Sequence, residues 1–253
     1  WKERLGDKPI ADIGTKDISA LREELLQKTS EQRGTPLSPA TVNRFLSALS
    51  HVFTVAQNDW EVCDDNPCKR VRKYKESRGR TRYLDDTERA RLLAECKKSE
   101  QEELYPLVVL ALSTGMRRGE LMALNWRSVD MERRAVHILD SKNGSARTVP
   151  LTEAAYDCLL SIWEGSGPVF HSKMRSAWEQ ALVRAGLDDF RFHDLRHTCA
   201  SYMSQAGVDA RTIAEVLGHK TLQMAMKYAH LNIQAQRTAL DKMDTIMWPA
   251  AHE

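Results

Sequence analysis

The sequence predicts a mainly α fold with one small antiparallel β-sheet, divided between two unequal domains. Apolar residues recur at helical spacing along most of the chain, and only the segment from Ala135 to Leu151 alternates as a hairpin would. Asn66-Pro67 breaks the helical pattern and a basic stretch follows, so we place the domain boundary within that stretch, near residues 74–82. The expected domains are residues 1–76 and 83–253, joined by a linker at 77–82.

Two helices are predicted in the first domain. One runs from about Asp17 to Lys28. The other covers residues 38–57, because Ser38 can cap it and Pro39 suits its first position. One apolar stripe follows this second helix, formed by Val42, Phe45, Leu46, Leu49, Phe53 and Ala56.

The second domain begins with a helix whose first turn has the spacing of a capping box, Asp85 and Glu88. A mostly apolar helix follows from about Glu103 to Ser113, and Gly115 interrupts it. Asn143-Gly144 is a strong turn signal within the predicted hairpin. The remainder is predicted to be helical, with breaks near Gly165, Gly167, Gly186, Gly207 and Gly218.

The composition argues against several classes of protein. Five cysteines without a Cys-x-x-Cys pair speak against a disulfide framework and a structural zinc site, and favour the reducing cytoplasm. The longest apolar run, Leu107 to Leu112, is far too short to cross a membrane, and no signal-peptide pattern is present. Because the chain begins with Trp1 rather than Met, we expect it to be an excised or processed fragment.

Basic residues crowd the end of the first domain, although the formal net charge is only +2. Glu76 alone opposes them. Such a run can bind a polyanion and release its counterions, or it can be a solvated linker. Its members are Lys69, Arg70, Arg72, Lys73, Lys75, Arg78, Arg80 and Arg82.

Two segments of the second domain carry cations suited to phosphate chemistry. Arg117 lies three residues before Glu120, which can orient its guanidinium, and a guanidinium fork matches two phosphate oxygens. Lys142, beside the predicted hairpin turn, holds its proton at neutral pH and can give it to a leaving oxygen. Taken singly, each is explained as simply by a surface ion pair or a solvated charge.

The segment from His193 to His197 projects a histidine and an arginine from one helical face. The two histidines have the spacing of metal ligands, but Arg196 between them would repel a dication. We therefore expect no metal here, and we expect His197 to be packed or hydrogen-bonded within the protein.

Two further residues complete the candidate set. His219 follows a glycine at a predicted helix end. Tyr228, nine residues later, is either an ordinary core tyrosine or a nucleophile that cations and a base would have to activate.

Taken in order, these segments resemble the tyrosine recombinase family, and most closely its phage-type integrases, over almost the whole chain. The matching elements are the first arginine box at Thr114–Leu124, the lysine hairpin at Ser141–Leu151, the His-x-x-Arg box at His193–Arg196, the Leu-Gly-His element at Leu217–His219 and the nucleophile at Tyr228. The segment Ser38–Arg44 and the pair Asn66-Pro67 resemble the helical, SAM-like domain that binds core DNA sites in this family, and we expect that domain to be shortened at its N-terminus here.

The resemblance implies a site-specific DNA recombinase that works through a 3′-phosphotyrosine, with neither metal nor other cofactor. Tyr228 would attack the scissile phosphate, while the two arginines and His219 would hold its non-bridging oxygens. Lys142 would protonate the leaving 5′-oxygen, and His193 would be the base near the tyrosine. The implied catalytic residues are thus Arg117, Lys142, His193, Arg196, His219 and Tyr228, supported by Glu120.

The resemblance also implies partners. These are double-stranded DNA with a specific core site, accessory DNA-bending proteins, and further copies of the chain, which would be weakly associated or monomeric when free and tetrameric on DNA. The C-terminal segment Ile233–Met247 would dock on a neighbouring copy or fold back on its own domain. The expected DNA contacts are Asn43, Arg44, Lys69, Arg70, Arg72, Lys73, Lys75, Arg78 and Arg80.

Several functions remain open at this point. Integration or excision of a prophage or another mobile element is our first interpretation, and resolution of chromosome or plasmid dimers is the second. A type IB topoisomerase shares the chemistry, but the N-terminal domain argues against it. A DNA-binding regulator would not need the full catalytic set. A metal-dependent hydrolase would use His193, Asp194, His197 and His219.

Overall fold

The chain folds into two compact units, Trp1–Arg80 and Thr81–Glu253. The fold is mostly helical with a three-stranded antiparallel sheet, which confirms the predicted class. The computed structural model describes residues 1–30, 34–77, 80–138, 146–171 and 174–248. Among the described helices, none is both long enough and apolar enough to cross a membrane.

Among the described residues, the first unit contains three α-helices, and the second contains nine α-helices and three strands. The first unit contains α1 (Lys2–Leu5), α2 (Thr15–Gln27) and α3 (Pro39–Asn58). The helices of the second unit are α4 (Asp86–Lys97), α5 (Leu104–Thr114), α6 (Arg118–Met122), α7 (Glu153–Ser161), α8 (Arg175–Arg184), α9 (Asp194–Gln205), α10 (Ala210–Leu217), α11 (Leu222–Ala225) and α12 (Ile233–Met247). Its strands are β1 (Val129–Asp130), β2 (Ala135–Ile138) and β3 (Arg147–Pro150).

Helix α3 organises the core of the first unit. The Ser38 hydroxyl accepts a hydrogen bond from the Thr41 amide at 3.2 Å, and Pro39 occupies the first turn, as predicted. Phe45 is an exception to the predicted stripe, because it is 41% exposed. The other stripe residues are buried, namely Val42, Leu46, Leu49, Phe53 and Ala56.

The second unit begins with the predicted capping box. The Glu88 amide donates to the Asp85 carboxylate at 2.7 Å, and the Asp85 amide donates back to Glu88 at 3.2 Å. Helix α5 is buried along most of its length and ends at Gly115, whose φ of 61° lies in the left-handed region. A Cβ on Gly115 would meet the Leu217 side chain at 2.1 Å, so only glycine fits there.

The sheet has the order β1-β2-β3, and all its strands are antiparallel. Val136 pairs with Val149, and Ile138 pairs with Arg147. Strand β1 is only two residues long and was not predicted. The predicted turn at Asn143-Gly144 lies outside the described residues.

A small apolar cluster lies beside the main core of the second unit and joins the C-terminal elements. Helix α10 ends at Gly218, whose φ is 64°. A short 3₁₀ helix, Met226–Leu231, follows α11 and carries Tyr228. The cluster consists of Cys199, Ala200, Ile213, Leu217, Ala225 and Tyr228.

The last helix, α12, presents apolar side chains to solvent. Leu240 is 60% exposed and Met243 is 43% exposed. Three more large apolar residues at its end, Ile246, Met247 and Trp248, are also exposed. Within the described part of the chain, this face is therefore not packed against the rest of the second unit.

Candidate active site

Four segments of the second unit converge on one site. They are the turn after α5, the first turns of α9, the turn after α10 and the 3₁₀ helix Met226–Leu231. Far-apart parts of the chain meet here because α5 packs on α9, and α9 packs on both α10 and the 3₁₀ helix.

Arg117 is the residue that caps α6. Its backbone amide donates to the Glu120 carboxylate at 2.9 Å, and its Nη1 donates to the same carboxylate at 2.8 Å. Its Nη2 donates to the Gly218 carbonyl at 3.0 Å. The predicted contact between Arg117 and Glu120 is thus present, and it fixes the plane of the guanidinium.

Glu120 accepts hydrogen bonds from a second arginine as well. Arg147, the first residue of β3, donates to both carboxylate oxygens, at 3.1 Å from Nη1 and 2.7 Å from Nη2. Burial alone would raise the pKa of Glu120, but the hydrogen bonds from Arg147 and Arg117 outweigh it and hold the pKa at about 2. Glu120 is therefore a carboxylate at neutral pH.

Arg196 reaches the site from the first turn of α9. It is 5% exposed, and its Nη1 donates to the Gly115 carbonyl at 2.7 Å. Burial, together with the charges of Arg117 and Arg147, lowers its pKa to about 10. It stays cationic at neutral pH, so Arg117 and Arg196 place two positive charges in one site.

The Tyr228 hydroxyl faces His197. Its oxygen lies 2.5 Å from Nδ1 of His197, and the tyrosine is 3% exposed. Burial raises the pKa of Tyr228 to about 12. Burial and the neighbouring His193 lower the pKa of His197 to about 4. At neutral pH a protonated phenol thus meets a neutral imidazole, which accepts the phenol hydrogen when its own proton is on Nε2.

This contact changes the assignment of the two α9 histidines. His197 is hydrogen-bonded within the protein, as predicted, but its partner is Tyr228, which the sequence did not suggest. His193, our predicted base, contacts the His197 ring edge-on with centroids 5.1 Å apart. The protein around the His193 ring and the charge of Arg196 lower its pKa. The hydrogen bond to the tyrosine therefore belongs to His197 rather than His193.

His219 follows the left-handed Gly218 at the end of α10. Burial, and then the charges of Arg196 and Arg117, lower its pKa to about 4. Its Nδ1 is buried and has no hydrogen-bond partner among the described residues. His219 thus brings an uncommitted polar atom to a site that already holds two guanidinium groups.

Two of the predicted residues cannot be placed. Lys142 and Arg78 both lie outside the described residues. Within the described part of the chain, no three His, Cys, Asp or Glu side chains form a group that could hold a metal ion. The alternative set of His193, Asp194, His197 and His219 does not form such a group.

The first unit corrects one predicted DNA contact. Asn43 is 4% exposed, and its side-chain amide donates to the Tyr74 carbonyl at 2.9 Å and to Glu76 at 2.8 Å. Its oxygen accepts from the Tyr74 amide at 2.9 Å. Because these internal bonds use its polar atoms, Asn43 holds residues 74–76 against α3 and is not available to DNA.

The other predicted DNA contacts differ in their exposure and in their partners within the protein. Arg70 is engaged with Asp65, and Lys73 donates to the Ser47 hydroxyl at 3.1 Å. Arg82, the last of the basic run, is paired with Glu88. The exposed members are Arg44, Lys69, Arg70, Arg72, Lys73 and Lys75, and Arg80 is half-buried.

Comparison with known proteins identifies relatives for most of the chain. The model of the phage integrase family matches residues 82–235. A shufflon-specific DNA recombinase of Escherichia coli is 35% identical over 91% of this chain and 61% of its own length. The integrase of Salmonella phage P22 is 34% identical over 83% of this chain and 60% of its own length. The chain therefore spans about 60% of these curated relatives.

Solved structures agree with these sequence matches. The catalytic domain of bacteriophage HP1 integrase is 30% identical, with a TM-score of 0.57 over 66% of this chain and 98% of that one. The Tn1549 transposon integrase, solved with circular intermediate DNA, has a TM-score of 0.72 over 94% of this chain and 88% of its own, at 19% identity. This second likeness concerns the fold alone. Since the family model matches more than half of the sequence, the chain belongs to the phage integrase family of tyrosine recombinases.

Proposed function

We propose that this chain carries the core-site-binding and catalytic parts of a site-specific DNA recombinase, which breaks and rejoins DNA through a 3′-phosphotyrosine. The observation that carries the proposal is the Tyr228 hydroxyl bound to His197, beside Arg196, Arg117 and His219. The names of the curated relatives support the same activity.

The anion-binding part of the mechanism follows from the fixed donors. Arg117 is held by Glu120, and Arg196 is held by the Gly115 carbonyl, so both guanidinium groups are oriented before a substrate arrives. Two oriented forks, with His219 as a further donor, suit the non-bridging oxygens of a phosphate that gains charge in its transition state. Removal of one such donor costs about 10²–10³ in rate.

The proton transfers require one base and one acid. Because burial raises the pKa of Tyr228 to about 12, the phenol enters the reaction protonated. We assign its proton to His197, whose Nδ1 lies 2.5 Å away, with His193 behind it. The phenol oxygen bonds to phosphorus, the bond from phosphorus to the 5′-oxygen breaks, and that oxygen takes a proton from Lys142. Lys142 enters the proposal from the sequence resemblance alone.

The covalent intermediate explains why no energy source is required. Each phosphodiester is exchanged for a phosphotyrosine ester, so a 5′-hydroxyl can reverse the reaction on the same or another strand. We propose double-stranded DNA with a specific core site as substrate, four copies of the chain assembled on it, and accessory DNA-bending proteins as further partners. The exposed apolar face of α12 supports docking on a neighbouring copy.

The first unit and the basic run are proposed to hold the DNA backbone. Arg44, on the exposed side of α3, is one candidate. The others are Lys69, Arg70, Arg72, Lys73, Lys75 and Arg80, with Arg78 from the sequence alone. Contacts of this type position a protein on DNA and make its affinity depend steeply on salt. Among recombinases, we favour integration or excision of a mobile element, since several curated relatives are named phage integrases.

The test is to map covalent cleavage on DNA that flanks the native gene. A duplex nicked beside the mapped position then traps the adduct, because the short cleaved end is lost. We expect an adduct with the native chain, none with Tyr228→Phe, and a normal yield with the control Tyr202→Phe, which lacks only a hydrogen bond to Asp86. An adduct with Tyr228→Phe would overturn the assignment.

The same substrates separate the alternatives. Adduct formation in the presence of a chelator is expected, and loss of activity there would favour a metal-dependent hydrolase. A plasmid with two mapped sites should yield recombinants. Relaxation without recombinants would favour a type IB topoisomerase, and binding without any adduct would favour a regulator.

A further inference from the structure

Arg147 is a largely buried arginine beside the candidate active site, and no sequence pattern pointed to it. Its side chain is 9% exposed. Three of its nitrogens make internal hydrogen bonds. Nη1 and Nη2 donate to the two oxygens of Glu120, and Nε donates to the Val216 carbonyl at 3.1 Å. The guanidinium is thus committed to the protein rather than exposed to a ligand.

The first link from Arg147 leads to Arg117. Both arginines bind the same carboxylate, which also accepts the Arg117 backbone amide. Glu120 can hold a single orientation because Arg147 grips both of its oxygens as a fork. If Arg147 were removed, Glu120 could rotate, and the plane of the Arg117 guanidinium would no longer be fixed.

The second link leads to His219. Helix α10 ends with carbonyls that lack a helical partner, and arginines bind two of the carbonyls at this end. Arg147 binds Val216, and Arg117 binds Gly218. Arg147 also occupies the space beside Gly218, because a Cβ there would lie 2.8 Å from its Nη1. Arg147 therefore contacts the turn that immediately precedes His219.

We propose that Arg147 is a positioning residue for the reaction, which sets Arg117 through Glu120 and sets His219 through the end of α10. The inference rests on the proposed function. It also links the hairpin to the anion site, since Arg147 begins the strand that returns from the segment containing Lys142.

Lysine should not replace this arginine. An ammonium group is a single point of charge and cannot bind both oxygens of Glu120 and the Val216 carbonyl in one plane. A displacement of about 1 Å at a catalytic group can cost about 10²-fold in rate. We expect the single-turnover rate of adduct formation to fall about 10-fold in Arg147→Lys and about 10²-fold in Arg147→Gln.

The test uses the full chain, the nicked duplex built on the mapped cleavage position, and the same duplex with a methylphosphonate at the scissile phosphate. The variants are Arg147→Lys, Arg147→Gln and Arg117→Lys. The matched control is Arg134→Gln, which removes an exposed ion pair with Glu153 next to the same sheet. Circular dichroism and melting show which variants fold, and Arg147→Lys, which keeps the charge, carries the test if Arg147→Gln does not fold.

A positioning role and a purely structural role for Arg147 predict different rates and affinities. If Arg147 acts through Arg117, both Arg147 variants should be slow on the natural phosphate with less than about a 3-fold change in DNA affinity. The loss of rate relative to the native chain should be smaller on the methylphosphonate, both for these variants and for Arg117→Lys. The reason is that an aligned guanidinium stabilises an uncharged methylphosphonate less than a charged phosphate. Arg134→Gln should match the native chain on both substrates.

Two outcomes of the rate measurements would overturn the inference. One is a rate for Arg147→Lys within about 2-fold of the native rate on the natural phosphate. The other is a deficit that is equally large on the methylphosphonate. Binding of inorganic phosphate, followed by ³¹P NMR at fixed ionic strength, gives a separate readout, with affinity expected to fall about 10-fold in Arg147→Lys. If the native chain forms no adduct, the proposed function fails, and unchanged phosphate binding would still overturn the role of Arg147.

Discussion

Replacing Glu120 with glutamine tests the charge balance on which the site is built. The carboxylate is 6% exposed and neutralises part of the charge of two guanidinium groups. The amide would leave Arg117 and Arg147 facing each other without a counterion, and its NH₂ group would oppose their donors. Breaking a buried ion pair from one side usually costs about 3–5 kcal/mol.

The pKa of Glu120 gives a second, independent value for the free energy that its charge contributes to stability. It is about 2 in the folded chain against an ordinary value of 4.5. At about 1.4 kcal/mol for each pH unit between these values, the charged carboxylate contributes about 3 kcal/mol to the free energy of unfolding at neutral pH. Because the folded pKa is depressed, this contribution is present above pH 4.5 and is lost as the pH falls towards 2. About half of it should be gone at pH 3.

The assay is urea unfolding followed by tryptophan fluorescence, for the native chain and Glu120→Gln between pH 7 and pH 3. The expected difference in unfolding free energy is about 3 kcal/mol at pH 7, narrowing to roughly half at pH 3. The control is Glu153→Gln, whose carboxylate pairs with Arg134 in solvent and should contribute at most about 1 kcal/mol. A Glu120→Gln difference as small as that of the control, or one that does not change with pH, would refute the reasoning.

Four further predictions concern other parts of the molecule. His197 should stay neutral in ¹⁵N NMR spectra from pH 7 to pH 5, because burial lowers its pKa to about 4, and a midpoint near 6.5 would contradict its burial against Tyr228. Lys142→Ala should slow adduct formation on natural DNA, but much less when sulfur replaces the leaving 5′-oxygen, since a thiolate leaves without a proton. An equal loss on both substrates would argue against Lys142 as the acid. Changing both Lys73 and Lys75 to glutamine should reduce the slope of log affinity against log salt by about 2, and an unchanged slope would remove them from the DNA contacts. Ending the chain after Asp241 should weaken assembly of several copies on DNA in native gels, while binding of a single copy stays intact. Unchanged assembly would favour a C-terminal helix that folds back on its own domain.

Local signals allowed much of the fold to be predicted. The bonds that start α3 and α4 join residues three apart, so Ser38 and the pair Asp85 and Glu88 are recognisable in the sequence. Gly115 and Gly218 mark the ends of α5 and α10 because both adopt left-handed backbone. Strand β1 is too short to show a period, so nothing in the sequence predicted it.

The site was less predictable where its contacts join distant residues. Arg147 meets Glu120 from 27 positions away, and His197 meets Tyr228 from 31 positions away. No spacing rule reports such pairs. The burial of Asn43 is another case, because its partners lie beyond the end of α3. The sequence around an asparagine near basic residues does not show whether its amide faces solvent or is hydrogen-bonded within the protein.

The two glycines of the segment TGMRRGEL have different reasons to be there. Gly115 allows α5, α9 and α10 to approach each other, and a methyl group would collide with Leu217. Gly119 has open space among the described residues where a methyl group would project, and alanine is the better helix former by about 1 kcal/mol. Selection for a stable fold would therefore discard Gly119. Conservation of Gly119 among relatives would therefore point to a group outside the described residues that approaches the backbone beside Arg117.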